Sequence, residues 1–331
     1  MAEAAGRPSW FQRYLLPGFA FKAVVIGGGY ATGRELAEFF LPHGPTGGVM
    51  AILLAMVIWS AICAITFVFA HATQSFDYRT FFKQLLGPFW IAFELAYLLF
   101  IVLILAVFGA AAGEIGRSLF GLPETVGTLA LVVAIAAFTA FGNSAVERLF
   151  KWVTIFLYAV YAVFAVLALT SFGDRAVANF ATPTPTGDWW LGGLTYAGYN
   201  IICAVVILPV IRHLTSRKDA VIAGLLAGPL AIWPALVFFI CMIAFYPAIG
   251  NETLPSDYLL RQLNLPAFHI IFQLMIFSAL LESGAGSVHA FNERIACAYR
   301  ARRGKAVSAR ARLAMAVVML IGAVFLPVTV G

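Results

Sequence analysis

The residues with chemistry to offer are the few charges set inside long apolar stretches: Lys22, Arg34, Glu35, Glu38 and Glu282. Glu282 lies within Ser278-Ala-Leu-Leu-Glu282-Ser283-Gly-Ala-Gly-Ser287. A carboxyl in such surroundings acts as a proton carrier, a cation ligand or a packing contact bonded to another helix. Lys22 stands five residues before a glycine-rich run. Its ammonium would replace a cation outright if it met Glu282, which favours proton coupling or ion-independent exchange; the alternative is snorkelling to an interface. Arg34 and Glu38 have the spacing of a helix salt bridge, so with Glu35 they form either a local pair or a gate closing over a cavity. Glu94 is expected at an interface, and His289, Asn292, Glu293 and Arg294 as an inner network.

No catalytic set accompanies them. There is no GxSxG or HExxH pattern, and Asp77, Asp174, Asp188, Asp219 and Asp257 fall in loops or at the ends of apolar runs. The four cysteines stand singly, and no histidine pair has ligand spacing. Neither an enzyme nor a metal site is expected, and no cofactor.

These residues must be positioned by membrane-spanning helices. Hydrophobic residues make up 62% of the 331 positions and charged residues only 11%, against about 25% charged in a soluble domain. The apolar residues fall in runs of roughly 18 to 30, the length a helix needs to cross hydrocarbon. The fold class is therefore an all-α integral membrane protein, and a β-barrel of short alternating strands is excluded. Residues 1–331 read as one multi-span domain with spans at about 14–41, 47–71, 88–117, 123–142, 144–171, 190–212, 219–247, 268–298 and 308–330. With the N-terminus in the cytoplasm, all but Arg34, Arg117, Arg175 and Arg261 of the 21 Lys and Arg fall inside, which orients a multi-pass protein of the cytoplasmic (inner) membrane. The net charge of +6 is scattered over span ends, so the partners are the lipid bilayer and a small molecule, and no nucleic acid. Oligomeric state is not legible.

Two spans carry interruptions. Gly27-Gly28-Gly29-Tyr30-Ala31-Thr32-Gly33 places four glycines in seven residues at membrane depth, each lowering helix stability by about 1 kcal/mol relative to alanine. Main-chain groups released there must be buried in protein or line a cavity; close helix packing through small residues is the alternative. The sixth span carries Thr195-Tyr196-Ala197-Gly198-Tyr199-Asn200, with Pro209 beyond. Breaks opening both halves of a chain point to inverted repeats with a site at the midplane, where helix ends hold an ionised solute. The substrate-binding candidates are thus Gly27, Gly28, Gly29, Tyr30, Ala31, Thr32 and Gly33, with Tyr196, Tyr199 and Asn200 shaping the pocket. Aromatic and neutral polar groups favour an amino acid or related small zwitterion.

The run GGGYATGRE from Gly27 to Glu35, followed by Phe39-Phe40, Gly44 and Gly47, resembles the first-span signature of the YkvI family of bacterial membrane proteins. Tyr196-Ala197-Gly198-Tyr199-Asn200 resembles that family's second signature. The family is similar to the leucine-transporter (LeuT) group of the amino acid, polyamine and organocation superfamily. That resemblance implies a five-plus-five inverted repeat, here 14–171 and 190–331, and secondary active transport of a small solute by alternating access, coupled to sodium or protons. It also implies that Ser283 of the eighth span, with Glu282 beside it, meets carbonyls near Gly27 to Tyr30 around a coupling sodium. The second half is one span short of ten, which suggests a truncated product or a nine-span variant. A channel, or a sensor binding a solute without coupled transport, is the alternative.

Overall fold

The computed structural model describes residues 8–26, 28–252, 254–303 and 307–330, and the described residues contain helices and no strands. The first expected span is broken into α1 (Leu16–Val25), α2 (Gly28–Ala31) and α3 (Arg34–Phe39), with a π-helical turn, Phe11–Leu15, leading in. Next come α4 (Gly44–Thr73), α5 (Tyr78–Leu86), α6 (Trp90–Phe120), α7 (Glu124–Ala140) and α8 (Asn143–Ala181). The sixth expected span is divided into α9 (Trp189–Asn200) and α10 (Cys203–Val206). It is followed by α11 (Arg217–Ile243), α12 (Pro255–Leu263), α13 (Pro266–Arg303) and α14 (Ala309–Val330).

Five helical segments among the described residues are long and apolar enough to cross a membrane, namely those containing α4, α6, α8, α11 and α13. The broken helices fall below that length, and α7 has 17 residues. Two short helices, α5 and α12, were not expected. Asp77 caps α5, accepting from the Thr80 N–H at 3.0 Å, a side-chain cap that the sequence Asp77-Tyr78-Arg79-Thr80 advertises.

The first break lies where the glycines predict. Gly33 has φ +80°, and a Cβ on it would sit 2.5 Å from the Phe238 ring, so both the turn and the packing require glycine. The second break falls later than expected: Thr195 to Asn200 are helical, and the chain departs from the helix at Ile201-Ile202 and again from Ile207 to Val210. Polar side chains alone do not open a helix. Pro209 accounts for the later departure, from Ile207, because it has no N–H and disfavours helical backbone at Leu208.

The broken first span is enclosed by α8, α11 and α13, and α9 packs on α4. Helices α4 and α11 lie so close that a Cβ on Gly224 would meet the Ala64 Cα at 2.3 Å. Two prolines inside α11 each release a carbonyl, and a neighbouring helix answers each. Pro229 leaves Leu225 O, which accepts from Ser60 of α4 at 3.0 Å. Pro234 leaves Leu230 O, which accepts from Tyr158 of α8 at 2.5 Å. Where lipid offers no hydrogen bond, these hydroxyls keep the kinked helix satisfied.

Ser60→Ala and Tyr158→Phe should therefore each lower stability by about 1–3 kcal/mol, the cost of a stranded main-chain acceptor. Thr170→Val, whose hydroxyl bonds Val166 O of its own helix at 2.7 Å, should change it by less than about 0.5 kcal/mol. Thermal unfolding of the detergent-solubilised variants measures the difference.

Candidate functional site

α1 ends at Val25, and its terminal carbonyls have no helical partner beyond the break. α13 supplies one. The Ser283 Oγ lies 2.5 Å from Ala23 O and 2.9 Å from Ile26 O. The sequence expectation put this contact at carbonyls near Gly27 to Tyr30; it falls earlier, at the end of α1, because that is where helical bonding stops. One hydroxyl has one proton, so three oxygens converge with lone pairs to spare.

Glu282, the preceding residue, faces Lys22 of α1 with the Lys22 Nζ 2.8 Å from Oε2, and both side chains are fully buried. Its other oxygen accepts from Thr154 of α8 at 3.2 Å. Burying two ions costs several kcal/mol each, so such a pair persists only with good geometry and further hydrogen bonds. Lys22 does not snorkel. Thr154 was missed by sequence reading, although a threonine inside an apolar run is a visible signal.

A cavity of about 110 Å³ lies where the two broken spans meet α6 and α13, lined by residues that include Val25, Glu35, Phe108, Asn200, Cys203 and Ser287. Tyr199 also contributes to its wall. Of the first-break candidates, Gly27 lies outside the described residues, and Gly28 and Gly29 lie in α2. Tyr30 is buried and donates to Ala231 O of α11 at 2.9 Å, away from that cavity. Ala31 is buried, Gly33 forms the turn, and Thr32 lines a separate hollow of about 110 Å³ with Gln273 and Asp257. Tyr196 is buried among Phe39, Phe40 and Trp59. A larger hollow of about 690 Å³ between α8 and α11 is walled mainly by apolar side chains such as Leu226 and the exposed Trp233, so it opens on the outside of the bundle.

The expected Arg34–Glu38 pair is absent among the described ion pairs. Arg34 opens α3 and turns to the chain after the Ala248–Asn251 turn, reaching Glu252 O at 3.4 Å, while Glu38 is exposed. Glu35 turns inward. The Tyr196 hydroxyl lies near it but short of hydrogen-bonding geometry, and both that hydroxyl and Glu35 Oε2 are buried without a partner.

At the opposite end of the bundle, ion pairs tie several elements together. Arg13 meets Asp219 at 2.7 Å and Arg212 meets Glu147 at 2.5 Å; Arg294 pairs with Glu94, and Arg312 with Glu293. Glu94 is thus buried and paired with Arg294 of α13. His289 is buried beside this network.

Removing one partner of the Lys22–Glu282 pair strands the other. Lys22→Met and Glu282→Gln should each destabilise by roughly 3–5 kcal/mol, and the double variant by clearly less than their sum. Thermal midpoints of the three proteins test the coupling.

The chain is similar to proteins in both sequence and structure. No protein-family model matches it. The uncharacterized membrane protein YkvI of Bacillus subtilis (strain 168) is 22% identical over 282 residues, covering 84% of this chain and 79% of that protein. The resemblance carried by the two span motifs is therefore shown. Among solved structures, MhsT in complex with L-phenylalanine matches with a TM-score of 0.61 at 18% identity, over 96% of this chain and 80% of that one. A substrate-bound, outward-open Na+-coupled sialic acid symporter matches with 0.65 at 14% identity, over 94% and 70%. Mhp1 in its inward-facing conformation matches with 0.53 at 16%, over 100% and 75%. The helical fold resembles that of LeuT-like transporters.

Proposed function

We propose that this chain is a secondary active transporter that moves an amino acid or related small zwitterionic solute across the cytoplasmic membrane by alternating access. The observation that carries the reading is the small cavity between the two broken spans, with Glu35, Tyr199 and Asn200 in its wall. Each break opens one half of the chain, 14–171 and 190–331, and the next helices of the two halves, α4 and α11, pack closely together. Both features support paired inverted repeats rocking about a site at the midplane. Main-chain groups from Gly27 to Gly33 would take the ionised head of the solute, and Tyr196 would back the pocket. Arg34 and Glu38 stand at the expected outer mouth, where they would gate entry, and the pairs around Glu94, Glu147 and Glu293 would close the cytoplasmic side.

Coupling belongs to the Lys22, Glu282 and Ser283 group. The ammonium of Lys22 occupies the space beside Glu282 that a cation would need, which supports proton coupling or exchange. The convergent oxygens of Ser283, Ala23 and Ile26 support sodium as the second reading.

Uptake of radiolabelled amino acids into proteoliposomes separates these readings. Saturable uptake driven by an inward proton gradient, reduced at least tenfold by Glu282→Gln, is the expected result. Dependence on a sodium gradient alone assigns coupling to the Ser283 oxygens instead, and uptake that never saturates rejects a carrier in favour of a channel.

A further inference from the structure

Glu35 carries the inference furthest, and it rests on the transporter reading of the cavity. We propose that Glu35 is the anchor for a protonated amino group of the substrate, so that this site takes amine-bearing solutes and rejects their hydroxyl or acid counterparts.

Glu35 lines the cavity, and its Oε2 is buried without a hydrogen-bond partner. Among the described residues no ion pair reaches it. Its sequence neighbour Arg34 is turned away to Glu252 O, and the buried Lys22 is engaged by Glu282. The cavity lining contains no lysine or arginine. It therefore holds one carboxyl group and no basic side chain.

The neutral polar groups around Glu35 have the same bias. Ser287 spends its one hydroxyl proton on Ser283 O at 3.0 Å, so its oxygen faces other partners only as an acceptor. Asn200 turns its amide nitrogen to Tyr196 O at 3.3 Å. A carbonyl can only accept, so the nitrogen is fixed toward it, which leaves the amide oxygen as an acceptor and one N–H as a donor. Three side chains thus present oxygen acceptors to one small space.

A primary ammonium, with three donors and a positive charge, complements that set more fully than a hydroxyl with its single uncharged donor, and a carboxylate, which only accepts, does not complement it. Phe100 and Phe108 also line the cavity. The volume of about 110 Å³ corresponds to about four waters at ~30 Å³ each, so the complement is a small amine or amino acid.

The test compares matched solutes that differ only at the amino group: glycine with glycolate, L-alanine with L-lactate, and ethanolamine with ethylene glycol. Thermal midpoints of the purified full chain are followed across a concentration series, since a ligand bound only by the folded state raises the midpoint in proportion to the logarithm of its concentration over its Kd. The amine-bearing member of at least one pair should raise the midpoint while its counterpart does not. Glu35→Gln should weaken that amine tenfold or more, and Glu35→Asp, which keeps the charge, should restore most of the discrimination. Equal stabilisation by both members of the pairs, or no response to any amine up to tens of millimolar, overturns the proposal whatever the variants do. An undiminished amine response in Glu35→Gln overturns it as well. Proteoliposome uptake keeps the two ideas apart: amine-selective binding without saturable uptake refutes the transporter and leaves the anchor. Saturable uptake that ignores the amino group refutes the anchor and leaves the transporter.

Discussion

The constraint on which this structure depends is that hydrocarbon offers no hydrogen bond to a peptide group. Four sequence features release main-chain groups from helical bonding: the Gly27–Gly33 run, Pro209, Pro229 and Pro234. At each one the packing follows from finding partners for what was released. Ser60 reaches Leu225 O from α4 and Tyr158 reaches Leu230 O from α8. After Pro209 the backbone tightens, with Val210 N–H bonding Ile207 O at 2.9 Å. At the first break Ser283 crosses from α13 to the carbonyls of Ala23 and Ile26. The interhelical contacts that look like site chemistry and those that look like packing therefore share a single cause.

The first break differs from the others in what gathers beside it. A proline kink needs one hydroxyl, whereas the end of α1 is met by Ser283, by the Lys22–Glu282 ion pair and, through Glu282, by Thr154. Three helices, α1, α8 and α13, are joined through one carboxylate. Any rocking of α1 against α13 must carry Glu282 along or separate two buried charges, and separation is costly unless a proton moves or another cation enters. Conformation and charge state are thereby linked at this point by geometry, irrespective of which solute occupies the cavity.

What could be read from the sequence followed the strength of the local signal. Glycine density located the first break because glycine acts on the backbone itself, and the isolated charges Lys22 and Glu282 marked their own importance because lipid penalises them. The second break begins just after the run expected for it, since Tyr196 to Asn200 look polar yet remain helical, and the proline beyond them accounts only for the further departure at Ile207. The partner of Glu94 was missed because nothing in α6 reveals that Arg294 of α13 faces it. Thr154 and Ser287 were missed for a related reason: a single hydroxyl in an apolar run acquires meaning only from the helix it faces. The short helix α5 carried a readable cap in Asp77, overshadowed by the longer apolar runs on either side.

Glu35 and Glu282 show how one residue type can meet two fates in a membrane. Each lies within the helical bundle, and each needs positive charge or donors to remain ionised there. Glu282 is wholly buried and has Lys22 and Thr154; with its oxygens engaged from within, it has little to offer a solute. Glu35 is only partly buried, lies in a cavity wall, and keeps an oxygen that no side chain pairs. Lys22 cannot serve both, because thirteen positions and a break in the helix separate it from Glu35, and its ammonium is already held at 2.8 Å. A buried acceptor without a protein partner carries a cost of about 1–3 kcal/mol. Donors that enter the cavity lower that cost, whereas the internal pair holds its helices together without them.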